Sequence, residues 1–277
     1  MAPSPSGPDT IVLIHGLWMT PLSWEKWIAR FESAGYTVIA PSWPQMEGEP
    51  AELRAHPDAL KDITVEKILD HYEHIIRELD KPPIIMGHSF GGAFVQLLLD
   101  RGLGAAGVAV SSASVRGIPD LPLSTLRSTF PVLSNPLNVR HPVPITPEQF
   151  HYAFTNTLSE EESQPFYDRY AVPAASKVLF AGALANVKPS TPFKVDFSRA
   201  DRTPLLFIGG TEDHVTPAKV VRKNAKKYGK SGAEADYREF PGRSHNIVGQ
   251  DGWEEVADFA LAWAEEHARP VQVATPA

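Results

Sequence analysis

Residues 83–99 read Pro83-Ile-Ile-Met-Gly87-His-Ser89-Phe-Gly91-Gly92-Ala-Phe-Val-Gln-Leu-Leu-Leu99. A short apolar run, a turn of the form Gly-x-Ser-x-Gly and an apolar helical stretch follow one another without a break. That order is what a strand-to-helix elbow needs in order to present a nucleophile at the end of a sheet. The glycines have a steric reason. So sharp a turn brings neighbouring backbone against residues 87 and 91, where a side chain would collide. Ser89 is then lifted out at the carboxyl end of its strand, and the helix behind it aims free N–H groups at any anion that forms there.

Outward from this stretch the same alternation recurs, the pattern of βαβ units and a parallel sheet. Thr10-Ile-Val-Leu-Ile14 is a buried-strand run ending at His15-Gly16, and Pro21 to Ala34 follows as a helix with Trp24, Trp27, Ile28 and Phe31 on one face. Tyr36 to Ala40 is a second strand. Val65, Ile68, Leu69, Tyr72, Ile75, Ile76 and Leu79 fall at helical spacing and predict a helix from Thr64 to Asp80, capped by Thr64. Pro83 to Met86 and Gly107 to Val110 are further strands.

Between Arg116 and Arg202 the rhythm stops, with eleven of the chain's 26 prolines and no clear strand. Helical patches survive at Thr146 to Leu158 and Glu160 to Phe180, rich in aromatic residues such as Phe150, Phe154 and Tyr170. A proline-rich linker does not carry this many aromatics, so a helical cap laid over the sheet is the expectation. The sheet pattern returns with strands at Pro204 to Ile208 and Glu234 to Phe240, and with helices at Pro217 to Tyr228 and Asp251 to His267. The expected division is a sheet-containing core over 9–115 and 202–268, a helical cap or lid over 116–201, and flexible tails at 1–8 and 269–277.

The length of 277 residues suffices to bury a core without disulfides or metals. No cysteine is present, which excludes a disulfide framework, a zinc ribbon and a thiol nucleophile. The net charge of −7 argues against nucleic acid or an anionic membrane as the main partner. No stretch approaches the roughly 18 apolar residues of a spanning helix, and the Pro- and Ser-rich start has no apolar leader region. No membrane insertion and a cytoplasmic location are therefore expected. The basic run Arg222, Lys223, Lys226, Lys227 and Lys230 has the spacing of a solvated helix face.

A serine hydroxyl needs a base to take its proton. His245, in Phe240-Pro-Gly-Arg-Ser-His-Asn246, sits in the loop between the last strand and the last helix, at the sheet edge where Ser89 emerges. His88 points away from its neighbour Ser89 and reads as a packing residue. His71 and His74, three apart on a polar helix face, read as solvated rather than as metal ligands. The imidazole in turn needs an acid to fix its tautomer. Asp213, in Ile208-Gly-Gly-Thr-Glu-Asp-His-Val-Thr-Pro217, is the leading choice, with Glu212 and Asp120 as competitors. Its bland alternative is a cap for the helix starting near Pro217. Backbone N–H groups of Leu17 and Phe90 are the expected oxyanion donors. His15 reads as structural support for the loop that carries Leu17, and Trp18, Trp43 and Phe154 as walls of a substrate pocket.

Taken together, Leu13 to Trp18, Gly87 to Gly92, Gly209 to Pro217 and Gly242 to Asn246 resemble the α/β-hydrolase superfamily, in its serine-nucleophile, esterase- and lipase-like branch. The resemblance spans residues 10 to about 268, apart from the variable cap. It implies an α/β fold with a mostly parallel sheet, helices on both faces and an inserted cap. Only nine residues precede the first strand, too few for the antiparallel hairpin that often opens this fold, so about six strands are expected. Aspartate-nucleophile branches, the epoxide hydrolases and haloalkane dehalogenases, do not fit Ser89. The implied reaction is hydrolysis of a carboxylic ester, lactone or thioester of a small, largely hydrophobic substrate through an acyl-enzyme, with no metal or organic cofactor. The same three residues would also serve a perhydrolase, a carbon–carbon hydrolase or an acyltransferase. A non-catalytic ligand receptor on this fold is the alternative of another class.

Overall fold

A computed structural model describes residues 7–229 and 232–270. The chain termini expected as flexible tails, and Lys230, lie largely or wholly outside these residues. Six strands, β1 Thr10–Ile14, β2 Thr37–Ile39, β3 Ile84–His88, β4 Ala106–Val110, β5 Leu205–Gly210 and β6 Ala235–Phe240, form one sheet in the order β2-β1-β3-β4-β5-β6. Every pairing is parallel, from Ile11 opposite Ile84 to Gly210 opposite Phe240.

The central strands are apolar throughout because both of their faces are covered. Successive side chains alternate between two cores. Val12, Ile14, Ile85, Ala109 and Phe207 enter one, and Ile11, Leu13, Met86, Val108 and Ile208 the other. The second core is closed by α1 Glu25–Ser33, through Trp27 and Phe31, and by the C-terminal helix. The first is closed by α3 Val65–Arg77 and α4 Phe90–Asp100. Thr64 caps α3 by accepting the N–H of Lys67, as its position before the apolar pattern predicts. A short helix α2, Pro50–Ala55, and a 3-10 turn, Pro57–Asp62, fill the connection from β2 to α3, a stretch for which the apolar spacing predicts no helix.

Between β4 and β5 lie α5 Leu123–Leu133, α6 Pro147–Phe154, α7 Glu160–Tyr170 and α8 Ser176–Ala183. Capping boxes start two of them, Thr146 with Gln149 and Ser159 with Glu162. The helix expected over Glu160 to Phe180 is in fact two. Residues 171–175, with Pro173 among them, are extended, and Ala174 bridges Val143 while the N–H of Val172 donates to the carbonyl of Trp18. Helix α5 carries an internal proline, Pro131, which hid it from the sequence pattern. After β5 comes α9 Ala218–Tyr228, and α10 Trp253–His267 ends the fold.

The strand order places β1 between β2 and β3, so the connections leaving β1 and β3 diverge to opposite sides. A crevice opens at the carboxyl ends of parallel strands where the order reverses in this way. The loops that follow β1, β3, β5 and β6 all meet there.

Candidate active site

Ser89 follows β3 and precedes α4, with φ 57° and ψ −118°. That left-handed φ costs a serine on the order of 1 kcal/mol or more and is held by its surroundings. Its N–H donates to the carbonyl of Val110 at 2.9 Å, and its carbonyl accepts the N–H groups of Gly92 and Ala113. A Cβ on Gly87 would run into the carbonyl of Gly91, and one on Gly91 into the carbonyl of Ile14. The two glycines of the Gly-x-Ser-x-Gly stretch are thus required by backbone crowding, as its sharp turn implies.

His245 is fully buried in the loop after β6, and its Nδ1 lies 2.7 Å from Oδ2 of Asp213, in the loop after β5. The other carboxylate oxygen of Asp213 accepts the N–H groups of Val215 at 2.8 Å and Thr216 at 2.7 Å. Burial works against charge on Asp213, but the neighbouring imidazole and these hydrogen bonds hold its carboxyl below the usual range. With Nδ1–H donated to the carboxylate, Nε2 of His245 is left as the basic nitrogen. It is buried and accepts no hydrogen bond, from Ser89 or from any other described residue. Such contacts are often open before substrate binds.

The competing acids are placed elsewhere. The Glu212 side chain is exposed and takes a hydrogen bond from Thr211, whereas Asp120 pairs with Lys223. His74 pairs with Glu78 on the surface of α3, and no group of three potential metal ligands occurs among the described residues.

Two further histidines brace the site. Nε2 of His88 donates to the carbonyl of His245 at 2.9 Å, and the two rings stand 4.6 Å apart. Burial, with His245 beside it, pushes His88 down to about 3. His15 accepts the N–H of Trp43 on Nε2 at 3.2 Å and donates from Nδ1 to the carbonyl of Gly16 at 3.0 Å, so it supports the loop after β1. Burial lowers it to about 4. Both imidazoles are neutral donors.

A cleft of about 340 Å³ opens over Ser89. Trp18, Phe90, Leu179, Val215 and Val220 give it apolar walls, and Thr216 lies on its floor. Trp18 is the one expected wall that lines it. Trp43 is fully buried, stacked on His15 at 4.8 Å, and Phe154 packs behind His245 with ring centroids 5.0 Å apart. The strand-end position of Trp43 and the place of Phe154 among the cap aromatics point to the pocket, but the structure spends both as core. The N–H of Phe90 opens α4 and so has no intrahelical acceptor. Leu17 follows Gly16, whose Cα is so close to Ser89 that a Cβ there would stand 2.9 Å from the serine Cβ.

Sequence reasoning missed Thr216. Its hydroxyl lies 2.8 Å from the carbonyl of Ser111 and 3.1 Å from Oδ2 of Asp213, clamping the carboxylate between β4 and β5. The signal was present as Asp213-His-Val-Thr216 before Pro217, an acid followed three residues on by a hydroxyl. The cleft wall supplied by α5 gave no such signal.

A parallel six-stranded sheet with a serine elbow after its third strand defines a hydrolase-type fold. The model of the alpha/beta hydrolase family matches residues 11–259, and the chain belongs to that family. Among curated proteins no match is found. Solved structures similar to it include an extracellular alpha/beta-hydrolase from a Paenibacillus species, described as sharing structural and functional homology with tobacco salicylic acid binding protein 2. It is 21% identical, with a TM-score of 0.66 over 95% of this chain and 100% of that one. A monoacylglycerol lipase from Paleococcus ferrophilus is 20% identical, with a TM-score of 0.63 over 95% and 97%. A pyrethroid hydrolase from Sphingobium faniae is 19% identical, with a TM-score of 0.64 over 93% and 97%. At these identities the likeness is one of fold. No helix among the described residues is long and apolar enough to cross a membrane.

Proposed function

We propose that the chain is a serine hydrolase that cleaves a carboxylic ester, lactone or thioester of a small, largely hydrophobic substrate through an acyl-enzyme on Ser89. The observation that carries this reading is the buried 2.7 Å pair of His245 and Asp213 at the sheet edge where Ser89 emerges. Nε2 of His245 takes the hydroxyl proton as Oγ of Ser89 attacks the carbonyl carbon. The negative charge on the carbonyl oxygen is met by the N–H groups of Leu17 and Phe90. The imidazolium, steadied by Asp213, gives its proton to the leaving alcohol as the carbon–oxygen bond breaks. Water, deprotonated by the same nitrogen, then releases the acid and restores the serine.

The mainly apolar walls around Trp18 and Leu179 support a hydrophobic acyl or alcohol group. Residues 116–201 act as the cap over that cleft, and the reaction takes place in the cytoplasm. The activities for which similar structures are named, a monoacylglycerol lipase and a pyrethroid hydrolase among them, accord with an ester substrate. The test is turnover of p-nitrophenyl esters from acetate to decanoate by the wild type and by Ser89→Ala. Turnover abolished by the substitution, in a variant with unchanged circular dichroism, is expected. A variant as active as the wild type overturns the reading. Binding of such esters without turnover by the wild type would favour the receptor alternative.

A further inference from the structure

The large apolar side chains that stand exposed among the described residues are Leu121, Leu123, Leu126, Phe130, Leu137 and Val187, all in the segment between β4 and β5. Leu123, Leu126 and Phe130 fall at i, i+3 and i+7 along α5 and form one stripe, exposed by 85%, 43% and 66%. The opposite side of α5 is buried through Ser128, Thr129 and Val132. The helix is therefore inverted: two hydroxyl side chains face inward, while leucines and a phenylalanine face solvent. Leu121 and Val187 are exposed and also wall the cleft over Ser89, so apolar surface continues from the cleft across its rim toward the stripe. Contiguous apolar surface of this kind marks a place where something docks.

The charges around the stripe indicate what docks. From residue 121 to residue 147 the chain carries Arg127 and Arg140 and no aspartate or glutamate, in a protein of net charge −7. Both arginines are exposed. Arg127 is positioned beside Phe130 by stacking 3.8 Å over the ring of Tyr152, in a groove that Glu148 shares. With Glu148 in that groove and Asp120 paired with Lys223 at the cleft rim counted in, three cations stand against two carboxylates around the stripe, so this face lacks the acidity that weighs against an anionic membrane for the molecule as a whole. We propose that the α5 face docks on an anionic lipid bilayer, with Leu123, Leu126 and Phe130 entering the headgroup region and Arg127 and Arg140 meeting lipid phosphates. The rim of the cleft then opens onto the bilayer, from which an apolar substrate can enter directly. Helices of this pattern bind through buried apolar area together with attraction to anionic lipids. Docking is a property of the surface and is read without reference to ester turnover, so its failure and that of the hydrolase reading are separable.

The test is sedimentation of the full chain with vesicles of phosphatidylcholine containing phosphatidylglycerol, and with phosphatidylcholine alone. The wild type is expected to sediment with the anionic vesicles and to be released by high salt. Leu123→Ser and Phe130→Ser should each weaken binding by about tenfold. An Arg127→Gln, Arg140→Gln double variant should remove the preference for anionic lipid. Neither Leu123 nor Phe130 lines the cleft, so their variants should keep the wild-type melting temperature and the wild-type rate on a short soluble ester. No sedimentation, sedimentation unaffected by these substitutions, or equal binding to both vesicle types overturns the proposal. So does a dimer in analytical ultracentrifugation that Phe130→Ser dissociates, because a second copy of the chain would then cover the face.

Discussion

His245 and Asp213 are joined by one carboxylate oxygen, 2.7 Å from Nδ1, while the other oxygen of the same group accepts two backbone N–H groups ahead of α9. The capping role and the role at the imidazole are thus not alternatives. Each uses a different oxygen, and the first fixes the geometry of the second. Asp213→Asn keeps most of the cap but puts an amide where the imidazole needs an acceptor of charge. Its kcat on an ester substrate should fall by about 10⁴, as expected when the tautomer is lost. Glu212→Gln, at an exposed side chain, should leave kcat unchanged, and the reverse pattern would transfer the acid role to Glu212.

Thr216 clamps that carboxylate. Thr216→Val keeps the shape of the side chain and loses the hydroxyl between Asp213 and the carbonyl of Ser111. A hydrogen bond of this kind is worth roughly 1 kcal/mol, so kcat should fall by about five- to tenfold with KM little changed. Thr216→Ser should restore most of the loss, and a silent Thr216→Val would reduce the residue to a piece of cleft wall.

Gly16 gives a steric test of the loop after β1. An added Cβ would lie 2.9 Å from the Cβ of Ser89 and 3.1 Å from the carbonyl of His88. Gly16→Ala should fold, because the loop can shift by a few tenths of an ångström. It should nevertheless lower kcat/KM by about 10², since small displacements of donors and nucleophile are costly in rate. Ester kinetics alongside circular dichroism would show whether the loss is one of position rather than of folding.

Acid should destabilise the fold through His15 and His88. Their folded values, about 4 and about 3, lie below the ordinary histidine value. The unfolded chain therefore takes up protons first as pH falls. Stability is complete above about pH 6.5 and declines from there to the folded values, by on the order of 1 kcal/mol per pH unit for each ring. Urea midpoints measured from about pH 7 to about pH 4.5 should fall steadily, and His88→Gln should fall less steeply. A flat profile would mean that the rings are not held neutral.

The sheet was legible because its strands are buried on both faces. Runs such as Thr10 to Ile14 are apolar without interruption, and their spacing by amphipathic stretches forces parallel connections. Ser89 was legible as the centre of the Gly-x-Ser-x-Gly stretch, whose glycines one sharp turn demands in fixed positions. The pairing of Asp213 with His245 depended on loop position, which is readable only through strand order. What stayed hidden rests on contacts between distant segments. Trp43 becomes a core partner of His15 because β1 and the loop after β2 meet edge to edge. Helix α5 carries its apolar residues outward, so a rule that equates apolar periodicity with a buried face misreads it. The break at residues 171–175 follows from a bridge to Val143, which no local pattern in that stretch announces.

The measurement that bears most directly on the site is mass spectrometry of the intact protein and its peptides after treatment with a fluorophosphonate. A single adduct on Ser89, formed at a rate that Asp213→Asn lowers, is expected of a serine activated by His245. A folded protein that takes up no label, or takes it up at a residue other than Ser89, would contradict the role given to Ser89.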